Sequence, residues 1–200
     1  MPYWSRNDLP DFSMRLKGRD KGSRYLYRVQ IQYFTKTTWE DGDLCCTADE
    51  GRINIRNRRE LSAQLRRHTT WKRKPTCFVS MFGDKKHAKN WARKQLRNLN
   101  RKRPYIDHAL IYKIDPYKVK NKYGERIPIL ELRQVLDIKP DLIPRRVRRW
   151  TRNEYLALYR VPARAIVGEP EKVPECPYSS HSSDSSDYSD SSDYSDYSDY

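Results

Sequence analysis

The stretch TCFVSMFGDKKHAKNWARKQL, residues 76–96, changes its period in the middle. Cys77 to Phe82 form a short apolar and aromatic run between Pro75 and Gly83, and a run of that length with such boundaries reads as a buried strand rather than a helix. Beyond Gly83 the period becomes helical. Asp84 stands where an N-cap is needed, and Ala88, Trp91, Ala92, Leu96 and Leu99 recur on one face, with Lys85, Lys86, Lys89, Arg93, Lys94 and Arg97 elsewhere. The unit is strand, tight turn, helix. Lysines in the first turn oppose the helix dipole and so favour an anion nearby; the plainer alternative is a solvated basic face. Trp91 is expected to be buried, with the helix anchoring the strand from behind while Ser80 faces a cleft.

Working outward, RYLYRVQIQYF at 24–34 alternates with aromatic and β-branched residues and is expected to be the first strand. A polar loop is expected around WEDGDLCCTADEG, and a short helix over NRRELSAQLRRH at 57–68, where Leu61 and Leu65 lie one turn apart. Downstream, YIDHALIYKID at 105–115 is a strand candidate, and ILELRQVLDI at 129–138 fits a helix or a strand. NEYLALYRVPARAIVG at 153–168 reads as a strand, a break at Pro162, and a short strand or turn. These elements do not alternate as βα units. An α+β domain with a mixed or antiparallel sheet and flanking helices is therefore expected, not a doubly wound one.

The expected organisation is a polar arm over 1–22, a single domain over 23–170, and a tail over 171–200. The end of that tail, SSDSSDYSDSSDYSDYSDY, has Asp at every third position and too few aliphatic side chains to offset the entropy of ordering it, so disorder is expected. The chain carries a net charge of +15, which becomes +21 without the six Asp at 184, 187, 190, 193, 196 and 199. Such a body attracts polyanions in a salt-dependent way. No apolar leader or run of membrane-spanning length is evident, which points to an intracellular protein, cytoplasmic or nuclear. Cys45, Cys46, Cys77 and Cys176 lack metal-ligand spacing and read as reduced thiols, so no metal site is expected. His68, His87 and His108 are scattered singly and receive no catalytic role.

Three short pieces carry the chemistry: Arg28 in YLYRV, Ser80 in FVSMF before the helix of Trp91, and Glu154 opening EYLALYRVP. Their order resembles the Arg-Ser-Glu pattern of the ADP-ribosyltransferase-like fold. More narrowly, YLYRV, FVSMFGDKKHAKNWA and EYLALYRVPARAIVG resemble an uncharacterised domain family of ascomycete fungi, over residues 24–168. The resemblance implies an active or decayed transferase fold with NAD as cosubstrate and a protein as a candidate acceptor. It implies that Arg28 holds a phosphate or ribose of NAD, that Ser80 bonds near the nicotinamide ribose, and that Glu154 stabilises positive charge as nicotinamide leaves. A planar guanidinium suits phosphate, and a carboxylate beside a developing cation acts mainly in the transition state. Phe82 stands where the pattern has a second hydroxyl, and Arg152 where it has Gln or Glu two residues before the glutamate. The latter turns the expectation from an arginine acceptor toward another acceptor or NAD hydrolysis. The competing expectation is a nucleic-acid-binding module without enzymatic activity, using Lys85, Lys86, Lys89, Arg93, Arg101, Lys102, Arg103, Arg145, Arg146, Arg148 and Arg149, with Tyr105 and Trp150 for stacking.

Overall fold

Gly83 ends its strand because nothing larger fits there. A Cβ at that position would lie 2.6 Å from Cε2 of Tyr155, so the ring closes over the bare backbone. The strand before it, β4 (Phe78–Phe82), and the helix after it, α2 (Lys85–Asn100), occupy the expected places. Asp84 caps the helix by accepting from the amide of His87 at 2.6 Å. These details come from a computed structural model that describes residues 25–175 apart from 33, 36, 47–57, 71–74, 102–105, 139 and 152. The expected polar arm and nearly all of the expected tail lie outside the described residues.

Before β4 come β1 (Leu26–Gln30), β2 (Thr37–Glu40), β3 (Asp43–Cys46) and α1 (Arg58–Thr69). After α2 follow β5 (His108–Ile114), β6 (Ile129–Glu131), α3 (Leu132–Ile138), α4 (Arg148–Thr151), β7 (Glu154–Leu158), β8 (Arg160–Val161) and β9 (Glu171–Pro174). Six strands form one sheet in the order β6-β7-β4-β1-β5-β9, and β2-β3-β8 form a second. Every pairing between these strands is antiparallel. The chain is thus an α+β protein built on antiparallel sheets.

Strand alternation sorts the core into three parts. On one face of the large sheet, Phe78, Leu156 and Leu158 pack with Leu61 and Leu65 of α1 and Leu132 and Val135 of α3. On the same face, Tyr27, Val29, Phe82, Ala109 and Ile111 pack with Ala88, Ala92 and Leu96 of α2. The other face carries Leu26, Val79, Met81 and Ala157 against Leu44, Cys46 and Val161 of the small sheet. The layers are helices, six-stranded sheet, three-stranded sheet. Among the described residues no helix is long and apolar enough to cross a membrane.

Five expectations change. The polar loop around residue 40 contains a hairpin, turned by Asp41 and Gly42 at φ of 50° and 81°; an Asp-Gly pair with both φ positive is a favoured two-residue hairpin turn. Residues 129–138 are both strand and helix in succession, because Ile129 and Leu130 pair with β7 before Leu132 and Val135 turn into the core. The folded part runs past residue 170 to Pro174, since β9 pairs with β5 and buries Val173. Trp91 is only half-buried: Ala88, Ala92 and Leu96 form the buried stripe, and Trp91 flanks it against Phe34 and Phe82. The helix also covers the face to which Ser80 points, rather than the reverse face.

Candidate active site

Residues 28, 80 and 154 sit on β1, β4 and β7, three neighbouring strands. Ser80 lies opposite Leu156 and Phe82 opposite Glu154 in the β4–β7 ladder, so Ser80 and Glu154 are diagonal neighbours on one face. Ser80 Oγ donates to Glu154 Oε1 at 2.5 Å. The pair lies at the junction between the cluster under α1 and α3 and the cluster under α2, where a polar side chain displaces neither.

His68, in the last turn of α1, completes the group. Its Nε2 lies 3.1 Å from Glu154 Oε1, and its Nδ1 lies 3.2 Å from Thr76 Oγ1. A carboxylate only accepts, so in the neutral ring Nε2 carries the hydrogen and Nδ1 accepts from the Thr76 hydroxyl. The side chains of His68 and Glu154 are each 15% exposed. Among the described residues the hydrogen bonds to the Glu154 carboxylate fall on Oε1, and Oε2 is left for another partner. Sequence reasoning gave His68 no role, yet a signal was present: it follows Leu61 and Leu65 at i+7 and i+3, on the buried stripe of α1.

Arg28 reaches the same place from the other side. Alternation puts it on the face of Leu26 and Gln30, toward the small sheet, where its Nη2 donates to Thr37 Oγ1 at 2.9 Å. The β1–β4 ladder consists of one pair, Tyr27 with Phe82. Beyond that pair the Ser80 carbonyl accepts from Arg28 Nη1 at 2.8 Å, so the guanidinium replaces a backbone donor in the ladder. Arg28 is 7% exposed, and its Nε has no hydrogen-bond partner among the described residues. Burial pulls its pKa down to about 10 against the opposing pull of the Glu154 charge. Arg28, Ser80 and Glu154 are therefore brought together, with the arginine behind the sheet and the other two in front.

The arrangement limits the chemistry. A serine nucleophile is activated by an imidazole standing between it and a carboxylate, whereas here the carboxylate stands between Ser80 and His68. The group is a carboxylate positioned by two donors. Among the described residues no cluster of three His, Cys, Asp or Glu side chains suited to a metal occurs. Cys45, Cys46 and Cys77 are buried thiols, and burial pushes the Cys77 thiol well above its usual range.

The basic residues are divided between helices over opposite halves of the sheet. Lys85 and Lys89 of α2 reach Glu171 of β9 at 2.9 and 2.5 Å; Lys86 and Arg101 are exposed, and Arg93 is half-buried. Arg145 and Arg146 are exposed in a turn after Pro144. Arg148 donates to the carbonyls of Ile143 and Pro140 at 3.0 and 2.5 Å. Arg149 lies in α4, while Lys102, Arg103, Tyr105 and Arg152 lie outside the described residues.

The chain belongs to the family described as a domain of unknown function, DUF7587, which it matches over residues 21–175. No curated protein matches it.

Proposed function

We propose that this member of DUF7587 is an ADP-ribosyltransferase-like domain that cleaves NAD at the bond between nicotinamide and ribose. The observation that carries the reading is that residues 28, 80 and 154, distant in sequence and in the order of the Arg-Ser-Glu pattern, stand on adjacent strands joined through Ser80. In this reading the ribose C1′–nitrogen bond breaks and its electron pair leaves with nicotinamide. Glu154 stabilises the positive charge left on the sugar, a charge that exists only near the transition state. Its open Oε2 faces the ribose. Water or another acceptor then attacks C1′ and loses a proton.

Ser80 and Arg28 have narrower roles. The Ser80 hydroxyl fixes one carboxylate oxygen. Both Nη atoms of Arg28 are engaged by Ser80 and Thr37, so Arg28 holds the Ser80 peptide in place and keeps a cation behind Glu154. The nucleic-acid reading has less support, because Lys85, Lys89 and Arg148 are engaged within the fold.

Calorimetric titration of NAD into the full chain tests the proposal, with ADP-ribose as competitor. Saturable binding displaced by ADP-ribose is expected. Heats equal to those of dilution at about 1 mM NAD, the weak end of ordinary KM values, would overturn it.

A further inference from the structure

We infer that His68 is a positioning residue of this centre: it commits one oxygen of Glu154, leaves the other to the reacting sugar, and withdraws the carboxylate's charge from the reaction when it takes up a second proton. The inference rests on the NAD-cleaving reading given above. His68 is gripped on three sides. Thr76 meets one nitrogen, Glu154 the other, and the Phe78 ring meets the imidazole edge-on at 5.7 Å and 88°. The helix that carries it is fixed by Leu61 and Leu65 in the core. With Ser80 as second donor, Oε1 is satisfied from two directions. Two donors on one oxygen decide which oxygen faces outward, where a single donor would let the carboxylate turn about its last bond.

A second proton on the ring changes the balance. The imidazolium would form an ion pair with Glu154 at 3.1 Å, between side chains each 15% exposed, where water screens poorly. A carboxylate so engaged has less charge for an oxocarbenium-like carbon. Thr76 can turn its hydroxyl to accept from Nδ1, so the grip survives while the electrostatics change. Among the described residues the neighbouring titratable and charged groups include Arg28 on β1, Arg67 next to His68 on α1, the Cys77 thiol next to Thr76, and His87 on α2. Arg28 stays cationic at neutral pH, and Cys77 stays a neutral thiol. His87 stacks on Phe82 at 5.2 Å and makes no bond to Glu154. Of the two side chains bonded to the Glu154 carboxylate, His68 and Ser80, only the imidazole can take up a proton.

The test is the pH profile of nicotinamide release from NAD by the full chain, for the parent, His68→Leu and His68→Gln, with the His68 ring followed by NMR in the parent. Leucine fills the space without a donor; glutamine donates but does not titrate. The parent should lose activity in acid with the midpoint of the His68 NMR titration. His68→Leu should lower kcat about tenfold or more with little change in KM, as for an interaction made in the transition state. His68→Gln should recover most of that loss and lack the acid limb. An acid limb unchanged in His68→Gln, or a His68→Leu chain as active as the parent, would overturn the role of His68 alone. A parent that releases no nicotinamide at any pH would instead overturn the NAD reading.

Discussion

Arg28 is retained in the core although its charge is held there at a cost, since burial lowers its pKa to about 10. The sign follows from linkage. Below pH about 10 both folded and unfolded chains hold the proton, and the cost is constant; between about 10 and the group's higher ordinary value only the unfolded chain holds it, so this group's contribution to stability rises with pH. At neutral pH, Arg28→Met removes the buried charge together with two hydrogen bonds, and these changes offset. Urea unfolding at pH 7 should show a change under about 1 kcal/mol for Arg28→Met but a loss of about 2–4 kcal/mol for Arg28→Ala, which leaves a cavity too. Equal losses in the two variants would show that the charge carries no net cost. The strands that carry Arg28, Ser80 and Glu154 were legible in the sequence. The side of the sheet on which Arg28 stands was not, because it depends on the register of β1 against β4, fixed by one pair.

Elements show the same division between local and tertiary causes. β4 and α2 were legible because period, Pro75, Gly83 and Asp84 agree locally. The β2–β3 hairpin was hidden by composition, although Asp41-Gly42 marked its turn. β8 and β9 are short and take their definition from partners. The chain passes from β7 into β8 at Tyr159, whose φ is 63°; its amide donates to the Cys77 carbonyl and its carbonyl accepts from the Cys46 amide, each at 2.7 Å. Gly83→Ala should cost about 1–3 kcal/mol in urea unfolding, because the new methyl meets the Tyr155 ring; an unchanged midpoint would mean the ring yields freely. Leu96→Ala should cost about 2–5 kcal/mol and Trp91→Ala clearly less, since Leu96 is fully buried and Trp91 is not. The reverse order would return Trp91 to the core. Glu171 ties β9 to α2, and bonds from Lys89 and then Lys85 hold its pKa below the ordinary value of 4.5. Its contribution is present above that value and is lost as pH falls through the lowered one. Glu171→Gln should remove that acid dependence, worth less than about 1 kcal/mol for so exposed a group. An unchanged acid profile would assign the dependence elsewhere.

At the scale of the whole molecule, a strongly basic body is followed by an acidic period-three tail. Charges of opposite sign tethered on one chain compete with outside polyanions at low salt. Deleting residues 177–200 should tighten binding of a heparin or nucleic-acid probe at low salt, with the difference shrinking as salt rises. Equal affinities at low salt would leave the tail a spacer. The central claim, that the front of the sheet at Ser80 and Glu154 cleaves NAD, is tested most directly by nicotinamide release from NAD by the full chain and by Glu154→Gln. The amide keeps the size of the side chain but lacks the charge that opposes the developing cation. Release by the parent is expected, with a fall of about 10²-fold or more in the variant and its melting temperature intact. Equal release by both, or none by the parent, would contradict it.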